Sequence, residues 1–217
     1  MNDTIKFYLA SDSTVQTYQK SEAPQAGWGQ FIANYLDDTI EVCNHAIGGR
    51  STKTFISEGH LQKILDEIGE GDYLFVQMGH NDSTKIRPER YTDPYDDYKK
   101  YLKQYIEGAR KNRAIPILIT PVGRLHYVNG EFLRDFGDYC NAMKEVAEEE
   151  SVLLIDLMKS SIDYYSSIGY KQASNLFMIS INGEDCTHFT EQGANEIAKL
   201  VSIEIKNLQI GVSKLVK

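Results

Sequence analysis

Five short apolar runs recur along the chain, at residues 5–10, 39–44, 73–78, 115–120 and 152–155. None alternates strictly between apolar and polar positions, so each is expected to be a strand covered on both faces. The intervening segments carry helical spacing instead. Trp28, Phe31, Ile32, Tyr35 and Leu36 share one face, with Gly27 and Gly29 at its start. Leu61, Ile64, Leu65 and Ile68 share another, which Gly69 and Gly71 end. Tyr98, Tyr101, Leu102, Tyr105 and Ile106 predict a third helix closing near Asn112. Phe132, Phe136, Tyr139, Cys140, Met143, Val146 and Ala147 predict a fourth, and Ile197, Leu200, Val201, Ile205 and Leu208 a last one. Strands alternating with helices imply right-handed crossovers and a parallel sheet between two helical layers, a three-layer α/β/α sandwich. Neither a repeat nor a linker divides the chain, so residues 1–217 are read as one domain. The pattern leaves the strand order open.

Open parallel sheets bind ligands beyond the carboxyl ends of their strands. Polar runs follow four of the expected strands, at 11–14, 45–52, 79–83 and 120–124, and a fifth at 185–188 precedes the last helix. Ser13 lies in the first of these runs. A serine hydroxyl is a poor nucleophile until a base removes its proton. His188 can serve as that base if its other ring nitrogen donates to a carboxylate, and Asp185, three residues earlier, offers one. Taken singly, Ser13 also reads as a turn or cap residue, and Asp185 with His188 as a loop capping the helix near Thr190. Their joint position on one rim points to chemistry. Acyl transfer further needs donors for a developing oxyanion. The Gly48-Gly49 pair lets a backbone N–H approach closely, Asn81 offers a side-chain amide, and Ser13 offers its own N–H.

Charge and composition narrow the classes. A net charge of -8 argues against a dedicated nucleic-acid binder, which needs a basic stripe for the phosphates. The apolar runs fall far short of the roughly 20 residues of a membrane helix. Cys43, Cys140 and Cys186 are sparse and fit neither a disulfide framework nor a zinc site, so reduced thiols and no metal or cofactor are expected. Residues 1–7 lack the basic and apolar stretches of a signal peptide, which predicts a cytoplasmic protein. No phosphate-binding loop of the Gly-x-x-x-x-Gly-Lys type occurs, and Thr14 stands where an aspartyl phosphotransferase would want a second carboxylate.

Taken in order, Ser11-Asp12-Ser13-Thr14, Gly49, Gly79-His80-Asn81-Asp82 and the Asp185-x-x-His188 pair resemble the four blocks of SGNH (GDSL-type) esterases. Ala26-Gly27-Trp28-Gly29, the run 44–51 and Thr187-His188-Phe189 resemble the rhamnogalacturonan acetylesterase branch of that superfamily. The resemblance implies a flavodoxin-like, five-stranded parallel sheet, no metal requirement, and removal of acetyl groups from acetylated pectic oligosaccharides. It also implies Ser13, Asp185 and His188 as catalytic residues, with Ser13, Gly49 and Asn81 around the oxyanion. One departure is Ser11, where the family usually has glycine, which leaves the tightness of that turn to be tested. Arg50, Lys53, Arg87, Arg124 and His126 follow the rim loops and are placed to meet a galacturonate carboxylate, solvated loop charge being the plain alternative. Asp12 is counted with these polar rim residues, although an acceptor beneath the nucleophile turn is its more natural role. Trp28 is either a sugar platform or core. A lipase, thioesterase or general carboxylesterase would carry the same blocks, as would a carbohydrate-binding relative that had lost its chemistry.

Overall fold

The computed structural model describes residues 4–217; Met1, Asn2 and Asp3, part of the N-terminal run read above for targeting, lie outside the described residues. Its centre is a sheet of five strands, β1 (Ile5–Ser11), β2 (Ile40–Asn44), β3 (Tyr73–Gln77), β4 (Ile115–Ile119) and β5 (Leu153–Ile155). All neighbours pair in parallel, in the order β2-β1-β3-β4-β5. This is the flavodoxin-like order. Each strand falls within a residue or two of its apolar run.

Among the described residues eight α-helices accompany the sheet: α1 (Thr52–Ser57), α2 (His60–Leu65), α3 (Asp97–Lys111), α4 (Gly137–Glu149), α5 (Leu157–Ile168), α6 (Tyr170–Ser174), α7 (Ile179–Asn182) and α8 (Glu191–Asn207). Successive strand residues feed opposite layers. Tyr8, Ala10, Leu74, Val76 and Leu118 pack with residues of α1 to α4. Phe7, Leu9, Tyr73, Phe75, Ile117 and Ile119 pack with residues of α5 and α8. Both sets are apolar because both faces are covered, and the period of two is therefore invisible in the sequence.

Two expected helices come out differently. Residues 28–36 form two short 3-10 turns, Trp28–Gln30 and Ile32–Tyr35, because this segment is pressed against the loop after β1. The Trp28 N–H donates to the Thr14 carbonyl at 3.0 Å instead of extending a helix. The fourth helix begins at Gly137, and Phe132 belongs to a hairpin pairing Tyr127–Val128 with Glu131–Phe132. Asn129 and Gly130 make its turn at φ 52° and 91°. Asn-Gly is the usual two-residue hairpin pair because both positions need positive φ.

The tyrosines inside the helical layer pack and also prop the rim. Tyr98 of α3 donates to the Met78 carbonyl at 2.9 Å, and Tyr105 to the Thr52 carbonyl at 3.0 Å. Tyr139 of α4 donates to the carbonyls of Asp82 and Thr92 at 3.0 and 2.7 Å. Among the described residues no helix is long and apolar enough to cross a membrane.

Candidate active site

The chain leaves β1 for the edge strand β2, then crosses back to β3 on the other side of β1. That reversal opens a crevice at the carboxyl ends of β1 and β3, where open α/β sheets bind ligands. Ser13 follows β1, and Asn81 follows β3. The turn carrying Ser13 is held from several sides. The Asp12 carbonyl accepts from the N–H groups of Val15 and Gln16 at 3.2 and 3.1 Å. Asp12 Oδ1 accepts from the Thr14 N–H and the Thr14 hydroxyl, both at 2.9 Å. Gln77, a buried polar residue ending an otherwise apolar strand, donates to Thr14 Oγ1 at 2.7 Å and accepts from Trp28 Nε1 at 2.9 Å. Tyr18 reaches back to donate to the Ser13 carbonyl at 2.9 Å.

Ser11 causes no difficulty in this turn. It is the last residue of β1, paired with Gln77, and its hydroxyl donates to the Gln77 carbonyl. A strand position needs no left-handed backbone, and the hydroxyl has a partner, so glycine is not required there. The small residues that matter are elsewhere. A Cβ on Gly27 would lie 2.3 Å from the Gln16 carbonyl oxygen, and one on Gly29 2.5 Å from that of Val15. The Gly27-Trp28-Gly29 block thus braces the nucleophile turn by direct backbone contact. Trp28 itself is 1% exposed and belongs to the core, not to a sugar platform.

His188 Nε2 lies 3.0 Å from Ser13 Oγ, and His188 Nδ1 lies 2.7 Å from Asp185 Oδ2. Burial alone would raise the Asp185 carboxyl. The N–H groups of His188 and Thr187, each 2.9 Å from Oδ1, together with the imidazole outweigh that and hold it below its usual range. An ionised Asp185 fixes the proton on Nδ1 and leaves Nε2 to accept from the serine hydroxyl. The loop is anchored at both ends: Ile179 N–H donates to the Asp185 carbonyl and Met178 N–H to that of His188, each at 2.8 Å. Capping of α8 is done by Thr190, whose hydroxyl accepts from the Gly193 N–H at 3.2 Å, which leaves Asp185 free for the histidine.

Donors line the other side of Ser13. Gly49 takes φ 79°, a left-handed turn that favours glycine. A Cβ on its neighbour Gly48 would lie 3.4 Å from Ser13 Cβ, so this turn runs directly beside the nucleophile. Gly48 N–H is committed to Gln16 Oε1. Among the described residues the N–H groups of Ser13 and Gly49 have no acceptor. Asn81 Nδ2 gives one hydrogen to the Arg50 carbonyl at 2.9 Å and keeps the second free.

A family model for GDSL-like lipase/acylhydrolase matches residues 12–201. The chain belongs to the GDSL-like lipase/acylhydrolase family. It is 58% identical over 207 residues to "Probable rhamnogalacturonan acetylesterase YesY" of Bacillus subtilis, covering 95% of both chains. To rhamnogalacturonan acetylesterase RhgT of the same organism it is 38% identical over 218 residues, covering 96% of this chain and 92% of that one. The solved structure of YxiM from Bacillus subtilis superposes with a TM-score of 0.86 at 32% identity; the match covers 96% of this chain and 58% of that longer one. Axe2, an acetylxylan esterase from Geobacillus stearothermophilus, superposes at 0.69 with 16% identity over 93% and 94% of the two chains, a likeness of fold.

Beneath the rim of this acylhydrolase lies a second imidazole–carboxylate pair. Asp12 is 0% exposed, which corrects its placement among the residues that meet substrate: it is an internal acceptor. Its Oδ2 sits 3.3 Å from Nδ1 of His80, and His80 Nε2 lies 3.0 Å from the Val122 carbonyl. Burial would raise the Asp12 carboxyl, but the neighbouring His80 imidazole and the hydrogen bonds from Thr14 hold it low. Asp82, also fully buried, is pushed up to about 6 by desolvation, although Thr52 and Thr92 donate to it. Asp82 accepts from Thr52 at the start of α1, and so ties the loop after β3 to the loop after β2.

The rim cations differ in what they are free to do. Arg50 Nε pairs with Glu58 at 2.9 Å and its Nη1 donates to the Gly48 carbonyl at 2.9 Å, so it braces the glycine turn. His126 Nδ1 meets Asp135 at 3.0 Å, Lys53 reaches the Pro88 carbonyl, and Arg87 lies 4.0 Å from Glu89. Arg90, which the sequence did not single out, contacts the Gly49 carbonyl at 3.5 Å and Thr84 Oγ1 at 3.4 Å. Arg124 has its Cζ 4.7 Å from the centroid of the Phe136 ring. Among the described residues no three His, Cys, Asp or Glu side chains are grouped to hold a metal ion.

Proposed function

We propose that the protein is a serine esterase that removes O-acetyl groups from acetylated carbohydrate, with rhamnogalacturonan-type pectic oligosaccharides as substrate. The observation that carries this reading is the run of contacts from Asp185 through His188 to Ser13, at 2.7 and 3.0 Å. Ser13 Oγ attacks the acetyl carbonyl while His188 Nε2 takes its proton. Asp185 holds the imidazole in the required tautomer and stabilises the imidazolium. The N–H groups of Ser13 and Gly49 and the free Asn81 hydrogen receive the developing oxyanion, each such donor contributing about 3–4 kcal/mol. His188 returns the proton to the departing sugar oxygen, and water then repeats the cycle on the acetyl-enzyme. The identity to named rhamnogalacturonan acetylesterases supports the choice of carbohydrate.

Acetate release from acetylated rhamnogalacturonan, acetylated xylan and their oligosaccharides tests the substrate. p-Nitrophenyl acetate against the octanoate ester tests the acyl group. The reading requires acetate to be preferred, Ser13→Ala to abolish turnover with the fold intact, and Asp185→Asn to cost less than loss of His188. Preference for octanoate, or near-wild-type activity in Ser13→Ala, overturns it.

A further inference from the structure

Carboxylates outnumber Lys and Arg by 31 to 23, and most rim cations have found one or a carbonyl. Arg124 has not. Among the described residues its Nε is buried without an acceptor, and no hydrogen bond engages either Nη. Among the described residues no carboxylate approaches it within 4.0 Å. Asp135, which acts on it most strongly, is taken up by His126 at 3.0 Å. Desolvation draws the guanidinium down, as expected for a partly buried cation short of a counter-ion.

The position is built. Leu125 N–H donates to the Cys186 carbonyl at 2.9 Å, which pins the residue after Arg124 to the loop carrying Asp185 and His188. The Phe136 ring lies under the guanidinium and meets the His80 ring edge-on at 4.8 Å. His80 in turn faces Asp12, the residue before Ser13. Phe136 adopts φ 59° and ψ 31°, a left-handed backbone that a bulky residue takes only when its surroundings compel it, and such strain clusters at ligand sites. The next residue, Leu125, lines a recess of about 420 Å³ together with His126, Tyr127, Tyr170 and Cys186, enough for a sugar ring.

We infer that Arg124, clamped on Phe136, is the receptor for the carboxylate of a uronic acid residue of the substrate, beside the acetyl group being removed. This rests on the acetylesterase reading above. A planar guanidinium recognises a carboxylate through two parallel N–H bonds, and a local cation lets a chain of net charge -8 take a polyanion. Arg124 contributes to specificity rather than to bond breaking.

The test compares wild type, R124Q and R124K. The ratio of kcat/KM on acetylated galacturonate oligosaccharides to that on neutral acetylated xylo-oligosaccharides should fall about 10- to 100-fold in R124Q, with partial recovery in R124K, which keeps the charge but not the fork. A second measurement needs no carbohydrate turnover. Unacetylated trigalacturonate should inhibit wild-type hydrolysis of p-nitrophenyl acetate more strongly than neutral galactotriose does, and that preference should vanish in R124Q. An unchanged ratio, or wild type inhibited equally by both trisaccharides, overturns the assignment. Absence of acetate release from every acetylated carbohydrate would instead sink the proposed function, with the inhibition experiment still judging Arg124.

Discussion

Removing both partners of the buried Asp12–His80 pair should cost the protein less than the sum of the two single losses. His80 Nε2 faces the Val122 carbonyl, and Asp12 Oδ2 and His80 Nδ1 face each other at 3.3 Å with no other partner for either atom among the described residues. Losing one side strands the other buried polar group and costs about 3–5 kcal/mol, whereas losing both strands neither. Asp12→Asn keeps the acceptor for Thr14 and isolates the charge as the variable. Asp12→Asn and His80→Gln should each lose about 3–5 kcal/mol at pH 7, and the double variant should fall short of the sum by about 1–3 kcal/mol. Urea unfolding followed by fluorescence of Trp28, the single tryptophan and a buried member of the same network, reads the change. The sign with pH is fixed. Asp12 is depressed in the folded state, so its contribution is present above the unfolded value near 4 and is lost as pH falls through the lower folded value. The gap between wild type and Asp12→Asn should therefore narrow in acid. Additive losses within about 0.5 kcal/mol, or a gap that does not narrow, would refute the coupling of Asp12 to His80.

Asp82 should behave in the opposite sense: its folded value of about 6 lies above the unfolded one, so wild type should lose about 3 kcal/mol relative to Asp82→Asn as pH rises from 4 through 6, read by urea unfolding across that range. A flat difference would remove the buried-carboxyl account. Gly27→Ala forces a Cβ to within 2.3 Å of the Gln16 carbonyl oxygen and should cost about 1–3 kcal/mol by calorimetry together with esterase activity. Gly137→Ala, in a helix with nothing within 4 Å, is the matched control and should be neutral or stabilising. Burial pushes the Cys43 and Cys140 thiols up to about 11 and about 12, and raises Cys186 as well. Iodoacetamide at pH 8 should label them slowly by mass spectrometry and leave esterase activity intact; rapid loss of activity would make Cys186 a candidate nucleophile.

The sequence by itself determined the strands, because burial on both faces demands contiguous apolar residues and the runs at 5–10 and 73–78 leave no other reading. It also determined the candidate chemistry, since serine, paired glycines, Asn81 and the Asp185-x-x-His188 spacing must sit in loops beyond those strands. Residues 28–36 show where periodicity ran out: their apolar spacing fits a helix, yet close backbone contact at Gly27 and Gly29 imposes two 3-10 turns instead. The hairpin at Asn129-Gly130 was legible in its turn residues, but the apolar spacing from Phe132 to Ala147 masked it. Helix α5 lay behind an N-cap, Asp156, whose side chain accepts from Lys159 N–H at 3.2 Å. Only the tertiary structure decided the strand order, which of the rim arginines kept no partner, and that Asp12 faces inward. Those are long-range facts. Gln77 meets Thr14 across 63 residues and His188 meets Ser13 across 175, and such contacts arise from the crossing of whole elements rather than from any local spacing.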